Sequence, residues 1–228
     1  MTLYLTQLRI SRAPSAQALS ALISPSDTAM RIDAHHKLVW AAFADGPDRR
    51  RDFLWREEAD GSIITLSARP PVPMDLFEPF TPKPFAPVLS PGDRLAFALR
   101  ANATRARSGA KSGAGQRVDV VMDALHALPQ AERAGARPEI AQREGTAWLD
   151  RQGAVAGFVP QSVVVEGYAT HALPHHRGAR RDQPQFGILD MSGVLEITDP
   201  GAFLAQLAQG FGRAKAFGCG LMLIRRAR

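Results

Sequence analysis

Pro70-Pro71-Val72-Pro73-Met74-Asp75-Leu76-Phe77-Glu78-Pro79-Phe80-Thr81-Pro82-Lys83-Pro84-Phe85-Ala86-Pro87-Val88-Leu89-Ser90-Pro91-Gly92 holds eight of the chain's 17 prolines. Proline lacks a backbone N–H and fixes φ, so neither an ordinary helix nor a central strand can run through this stretch. It reads as an extended connector. It divides the 228 residues into two candidate domains, 1–88 and 93–228, each long enough to bury a core of its own.

Working outward, Arg94 to Arg100 (RLAFALR) alternates apolar and other residues as a half-buried strand does. Leu3 to Ile10 alternates similarly. Residues 26–44 carry Val39, Trp40 and Phe43 at helical spacing behind a capping Ser26 or Asp27. Arg51 to Glu57 and Ser62 to Ala68 read as two strands joined at Asp60-Gly61. Beyond the connector, residues 103–116 read as a polar loop and Arg117 to Met122 as a strand or the start of a helix. Helices are expected over Pro138–Gln152 and Pro200–Gln209. Strands are expected over Ser162–Glu166, Gly187–Ile197 and Leu221–Arg225, with a basic loop from His171 to Pro184. This order fits an α+β chain of two tandem ferredoxin-like (RRM-like, βαββαβ) domains.

Lys and Arg total 28 against 22 Asp and Glu, a net charge of +6 that favours a polyanionic partner. The lone Cys219 excludes a disulfide framework within the chain and argues against a cysteine-based zinc site. The first residues have no signal-peptide core, and no apolar run approaches the roughly 20 residues of a membrane span. A cytoplasmic protein with no membrane partner and no cofactor is expected.

Four features carry candidate chemistry. The segment Gly210-Phe211-Gly212-Arg213-Ala214-Lys215-Ala216-Phe217-Gly218-Cys219-Gly220 holds four glycines. Either their N–H groups face phosphates beside Arg213 and Lys215, or they serve tight helix–strand packing. It is no Walker A loop, because Gly-Lys-Ser/Thr is missing. The cluster Asp33-Ala34-His35-His36-Lys37 lies within the first helix. Neighbouring residues there point about 100° apart, so only one histidine can share a given face. His36 either packs against Trp40 and Phe43 or does acid–base work near neutral pH, with Lys37 and Asp33 beside it.

From Arg94 to Arg117 there are six Lys or Arg and no Asp or Glu. Arg94, Arg100, Arg105, Arg107, Lys111 and Arg117, with Asn102, are candidates to track a phosphate backbone. The last feature is His171 with His175, His176 and Arg177. It reads as a second RNA-contacting loop or, alternatively, a metal site.

Taken together, the segments resemble the CasE (Cse3) family, the CRISPR repeat-RNA endoribonucleases of the type I-E Cascade system. The resemblance is carried by Leu3-Tyr4-Leu5-Thr6-Gln7-Leu8 and by His36-Lys37-Leu38-Val39-Trp40-Ala41-Ala42-Phe43. Arg51-Asp52-Phe53-Leu54-Trp55-Arg56, Pro91 to Asn102, Ala147-Trp148-Leu149, Gly193 to Ile197 and the Gly210 to Leu221 segment complete it. It implies metal-independent cleavage of a CRISPR repeat hairpin, with His36 at the family's catalytic position. The expected products are a 2′,3′-cyclic phosphate and a 5′-OH, with the mature crRNA retained among the other Cascade subunits. His36 is then either general base or general acid. Where the family often carries a tyrosine three residues before that histidine, this chain has Asp33. Where some members have a lysine five residues after it, Ala41 stands here. Gly210, Gly212, Gly218 and Gly220 stand with Arg213 and Lys215 as candidate RNA-binding residues. The other class of function open to this chain is a non-catalytic RNA-binding subunit of a nucleoprotein complex.

Overall fold

A computed structural model describes residues 2–46, 49–107, 116–172 and 185–227. The N-terminal alternation becomes β1 (Leu3–Leu8), which lies between two partners in an antiparallel sheet. One partner is β3 (Ile63–Ser67), which also pairs β2 (Phe53–Glu57). The other is β4 (Lys83–Phe85), giving the order β2-β3-β1-β4. Two short helices, α1 (Pro14–Ala18) and α2 (Ser20–Ile23), precede α3 (Thr28–Ala41). Of the two capping candidates, Asp27 is the one used: its carboxylate accepts the Met30 N–H at 2.8 Å.

All of β2 from Phe53 to Arg56 is buried, which explains its failure to alternate. Phe53 and Trp55 face α3 with Leu8, Val39, Phe43 and Ile63. Leu54 and Leu66 point the other way, into the core of the C-terminal half. A sheet covered on both faces has no polar side to present.

The proline-rich stretch is more than a connector. Its Phe77 is buried and bridges Ile10, and Lys83–Phe85 supplies the edge strand β4. A βαββαβ unit would place a helix between β3 and β4. The prolines forbid one, and an extended segment makes the crossover instead. Pro84 is tolerated because β4 pairs on one side only.

The C-terminal half repeats the same plan. β5 (Arg94–Ala101) sits between β9 (Gln185–Ile197) and β10 (Met222–Arg226), and β8 (Phe158–Ala172) flanks β9. The order β10-β5-β9-β8 matches the first sheet, as two ferredoxin-like units require. The expected loop over 103–116 is instead partly a hairpin. β6 (Thr104–Arg107) pairs β7 (Gln116–Asp119), and Asp119 then caps α4 (Val120–His126). Both readings of Arg117 to Met122 thus apply in succession.

The helix expected from Pro138 starts earlier and ends later, as α5 (Arg133–Ala156). Pro138 lies inside it, and burial of Ile140, Trp148 and Leu149 against the sheet outweighs the missing N–H. α6 (Pro200–Gln209) has the expected bounds. Phe158 meets Phe203 and Phe211 edge-on, at 5.7 and 5.9 Å between ring centroids. Among the described residues no helix is long and apolar enough to cross a membrane.

Gly212 has φ of +73°, and a Cβ there would stand 2.6 Å from the Asn102 carbonyl oxygen. Gly61, at φ of +76°, faces open space. Gly61→Ala should therefore cost only the backbone term, about 1 kcal/mol. Gly212→Ala should add overpacking and cost about 2–4 kcal/mol. Denaturant midpoints of the two variants measure the difference.

Candidate functional site

α3 turns its two histidines in different directions. His35 is buried, with Nδ1 3.3 Å from Glu57 Oε2. The same carboxylate lies 3.5 Å from Arg31 Nε, and the Glu57 carbonyl accepts from Arg100 Nη1 at 3.3 Å. Arg100 in turn grips Asp190 through Nε and Nη2, at 2.8 and 3.1 Å. His35 therefore belongs to a polar clasp between the halves.

His36 is half-buried but accessible. Its ring meets the edge of Trp40 at 6.2 Å and lies 6.1 Å from Phe217, across the domain boundary. Phe217 stacks on Phe186 at 5.2 Å, and Phe186 lies 6.0 Å from His171. Burial holds the His36 pKa below its ordinary value; Asp33 opposes this, while Arg51 and Lys37 add to it. At neutral pH the imidazole is therefore neutral. Lys37 Nζ is 2.7 Å from Asp33 Oδ2, so these two candidates form a pair one turn apart beside His36.

Phe217 reaches His36 because the glycine segment is anchored on β2. Trp55 Nε1 donates to the Ala216 carbonyl at 3.2 Å, and a Cβ on Gly218 would stand 3.3 Å from the Trp55 ring. A Cβ on Gly210 would stand 2.8 Å from Leu54, and Gly220, Gly212 and Gly218 all have positive φ. Packing thus accounts for the four glycines. The expectation that Gly210 and Gly220 offer N–H groups to phosphate is corrected: the first donates to Gln206 O at 2.8 Å and the second to Arg100 O at 2.7 Å.

The remaining candidates for RNA contact differ in exposure and partners. Asn102 is buried and donates its side-chain amide to Gly187 O at 2.7 Å, while its carbonyl accepts from Arg213 N–H at 3.2 Å. It builds the site rather than facing solvent. Arg100 is held by Asp190, and Arg105 is held by Asp123 and Glu144. Arg107 lies 3.5 Å from Asp123, yet its side chain is two-thirds exposed. Arg117 and Arg213 are exposed. Arg94 starts β5 opposite Glu196, six residues from Arg100, and so about 20 Å from the glycine segment. Lys111, Arg177, His175 and His176 lie outside the described residues, so of the three-histidine cluster only His171 is placed.

Sequence reasoning missed Arg51 and Phe217 as site residues. Arg51 stands just ahead of β2, and its charge acts on both His36 and Lys215. Lys215 Nζ donates to the Gln209 carbonyl at 2.6 Å. Burial first, and Arg51 second, lower the Lys215 pKa. His36 and Arg51 meet within the N-terminal half, and only the docking of the halves brings Lys215 and Phe217 to them.

Burial works against the Glu57 carboxylate, but His35, Arg31 and Arg100 beside it outweigh this and hold its pKa down. A depressed carboxylate pKa contributes stability above the unfolded value of about 4.3, lost as pH falls through the folded value. Between pH 7 and 3, the melting temperature of Glu57→Gln should fall less steeply than that of the parent. Parallel curves would show that Glu57 contributes no such linkage.

Comparison with known proteins gives one consistent result. A family model described as CRISPR associated protein matches residues 3–226. The CRISPR-associated endoribonuclease Cse3 of Thermus thermophilus is 28% identical over 220 residues, covering 87% of this chain and 91% of that protein. The CRISPR system Cascade subunit CasE of Escherichia coli is 26% identical over 195 residues, covering 82% and 88%. A solved structure of the endoribonuclease Cse3 bound to a 19-nucleotide RNA matches with a TM-score of 0.68 at 25% identity, over 98% of each chain.

Proposed function

The chain belongs to the CRISPR-associated protein family whose model spans it almost end to end, and from that premise we propose that His36 is the catalytic residue of an endoribonuclease acting on CRISPR repeat RNA. On this reading the chain cleaves the repeat hairpin of precursor crRNA and works with the other subunits of a Cascade complex; its support is that one relative is named a CRISPR-associated endoribonuclease, another a Cascade subunit, and a third is solved bound to RNA. Residues 1–88 and 93–228 are its two domains. An RNA made and cut inside the cell places the reaction in the cytoplasm.

The single observation that carries the reading is an accessible imidazole held between Trp40 and Phe217, with Arg51 near enough to act on it and Lys215 near enough to Arg51 to feel its charge. RNA supplies its own nucleophile, the 2′-OH beside the scissile phosphate, and the reaction requires no metal ion. His36, neutral at pH 7, accepts the 2′-OH proton as the O2′–P bond forms. The P–O5′ bond breaks, and the leaving oxygen takes a proton from solvent. Arg51 and Lys215 oppose the charge that builds on the non-bridging oxygens. The products are a 2′,3′-cyclic phosphate and a 5′-OH. Asp33 and Lys37, paired to each other, set the field around the imidazole rather than touch the reacting atoms.

With a hairpin repeat RNA in EDTA, the parent protein should cleave and His36→Ala should be slower by roughly 10²–10⁴-fold. A 2′-deoxy substitution at the cut site should leave binding intact and abolish cleavage. The single-turnover rate should rise with pH through a midpoint below about 6.5 and then level off. A rate that falls over that range would reassign His36 as general acid. Unchanged cleavage by His36→Ala would sink the catalytic assignment.

A further inference from the structure

A cavity of about 910 Å³ opens between the N-terminal sheet and α6, next to the site but outside the chemistry described so far. Leu54, Leu66 and Phe85 wall it on the sheet side, and Leu204, Leu207 and Ala208 on the helix side. Arg51 and Lys215 line it too. Among the described residues its lining carries one carboxylate, Asp52, which is engaged by Arg69 Nε at 2.8 Å, so Arg51 and Lys215 leave the lining with positive charge. Its size falls within the roughly 300–1,000 Å³ of sites that enclose small organic groups. Apolar walls with two cations suit a flat aromatic group attached to a phosphate.

We propose that this cavity receives the base of an unpaired nucleotide adjoining the scissile phosphate, while Arg51 and Lys215 hold that phosphate. The proposal rests on the reading of His36 as the cleaving residue. The connection between cavity and His36 is short: Lys215 lines the cavity, and Phe217, two residues on, has its ring 6.1 Å from that of His36. A phosphate between Arg51, Lys215 and His36 therefore leaves one neighbouring base free to turn inward. The occupant is RNA rather than a segment of a partner protein, because the lining carries two cations and adjoins the cleaving residue through Lys215 and Phe217. Apolar walls grip a base by its flat faces and not by its edges, so the subsite tolerates any base identity but requires a base.

The test couples the cavity to the substrate. Ala208→Phe fills the cavity from its half-buried helix wall; Ala205→Trp does so from an exposed lining position and so carries little risk to folding. Single-turnover cleavage is compared for intact hairpin RNA and for RNAs abasic at the nucleotide on either side of the cut. For the parent, one abasic RNA should be cut about tenfold more slowly than the intact RNA. Both variants should cut intact RNA about tenfold more slowly and show no further loss on that abasic RNA. A parent that cuts all three RNAs equally, or variants that keep the full abasic penalty, would overturn the proposal; the second result would give the cavity to a protein segment. Equilibrium binding of the same RNAs in the His36→Ala background reads the cavity without cleavage. A parent that cuts no RNA but shows the abasic effect in binding would refute the cleavage reading and keep the subsite.

Discussion

The seating of the glycine segment on β2 is the contact on which the rest of the site depends. The indole N–H of Trp55 holds the Ala216 carbonyl, Gly218 lies against the face of that indole, and Gly210 lies against Leu54. These contacts join the last crossover of the C-terminal unit to the second strand of the N-terminal one. Backbone can approach an aromatic ring so closely only where no Cβ intervenes. Phe217 is thereby delivered to His36, and Lys215 to the neighbourhood of Arg51.

The polar clasp complements this apolar seam. His35, Arg31 and Glu57 on one side meet Arg100 and Asp190 on the other. Each partner is at least partly withdrawn from water, where charge-assisted hydrogen bonds are stronger and an unpaired group is costly. The two adjacent histidines thus have opposite roles. His35 is packed into the clasp, and its neighbour is left accessible with its charge suppressed. A helix achieves this by its 100° step alone, with no change in residue type.

Basic residues in this chain divide in the same way. Arg69, Arg100 and Arg105 are held by carboxylates within the protein, so they serve its architecture first. Arg107, Arg117 and Arg213 remain exposed, and Arg51 and Lys215 both line the cavity. A run of six Lys and Arg without a carboxylate in the linear sequence is therefore a poor guide to the number of cations available for a phosphate backbone. The carboxylates that neutralise such a run, Asp123, Glu144 and Asp190, come from other elements.

By itself the sequence determined the local elements and their order. Alternation in β1 and β5, the Asp27 cap and the helical spacing of Val39, Trp40 and Phe43 are properties of short stretches, fixed by backbone sterics and side-chain periodicity. Two ferredoxin-like units were legible at that level; His36 was singled out over His35 only through the resemblance to CasE. Less legible was β4, because proline marks where a helix cannot form without showing which edge the extended chain will join. The β6–β7 hairpin was hidden too, since polar, small residues on an exposed ribbon have no apolar face to alternate. Tertiary structure alone decided which arginines are free, why Asn102 faces inward, and that Arg51 and Phe217 share a site with His36. The physical reason is that burial, ion pairing and pKa shifts depend on distances through space, and docking the halves brings together residues that the chain keeps far apart.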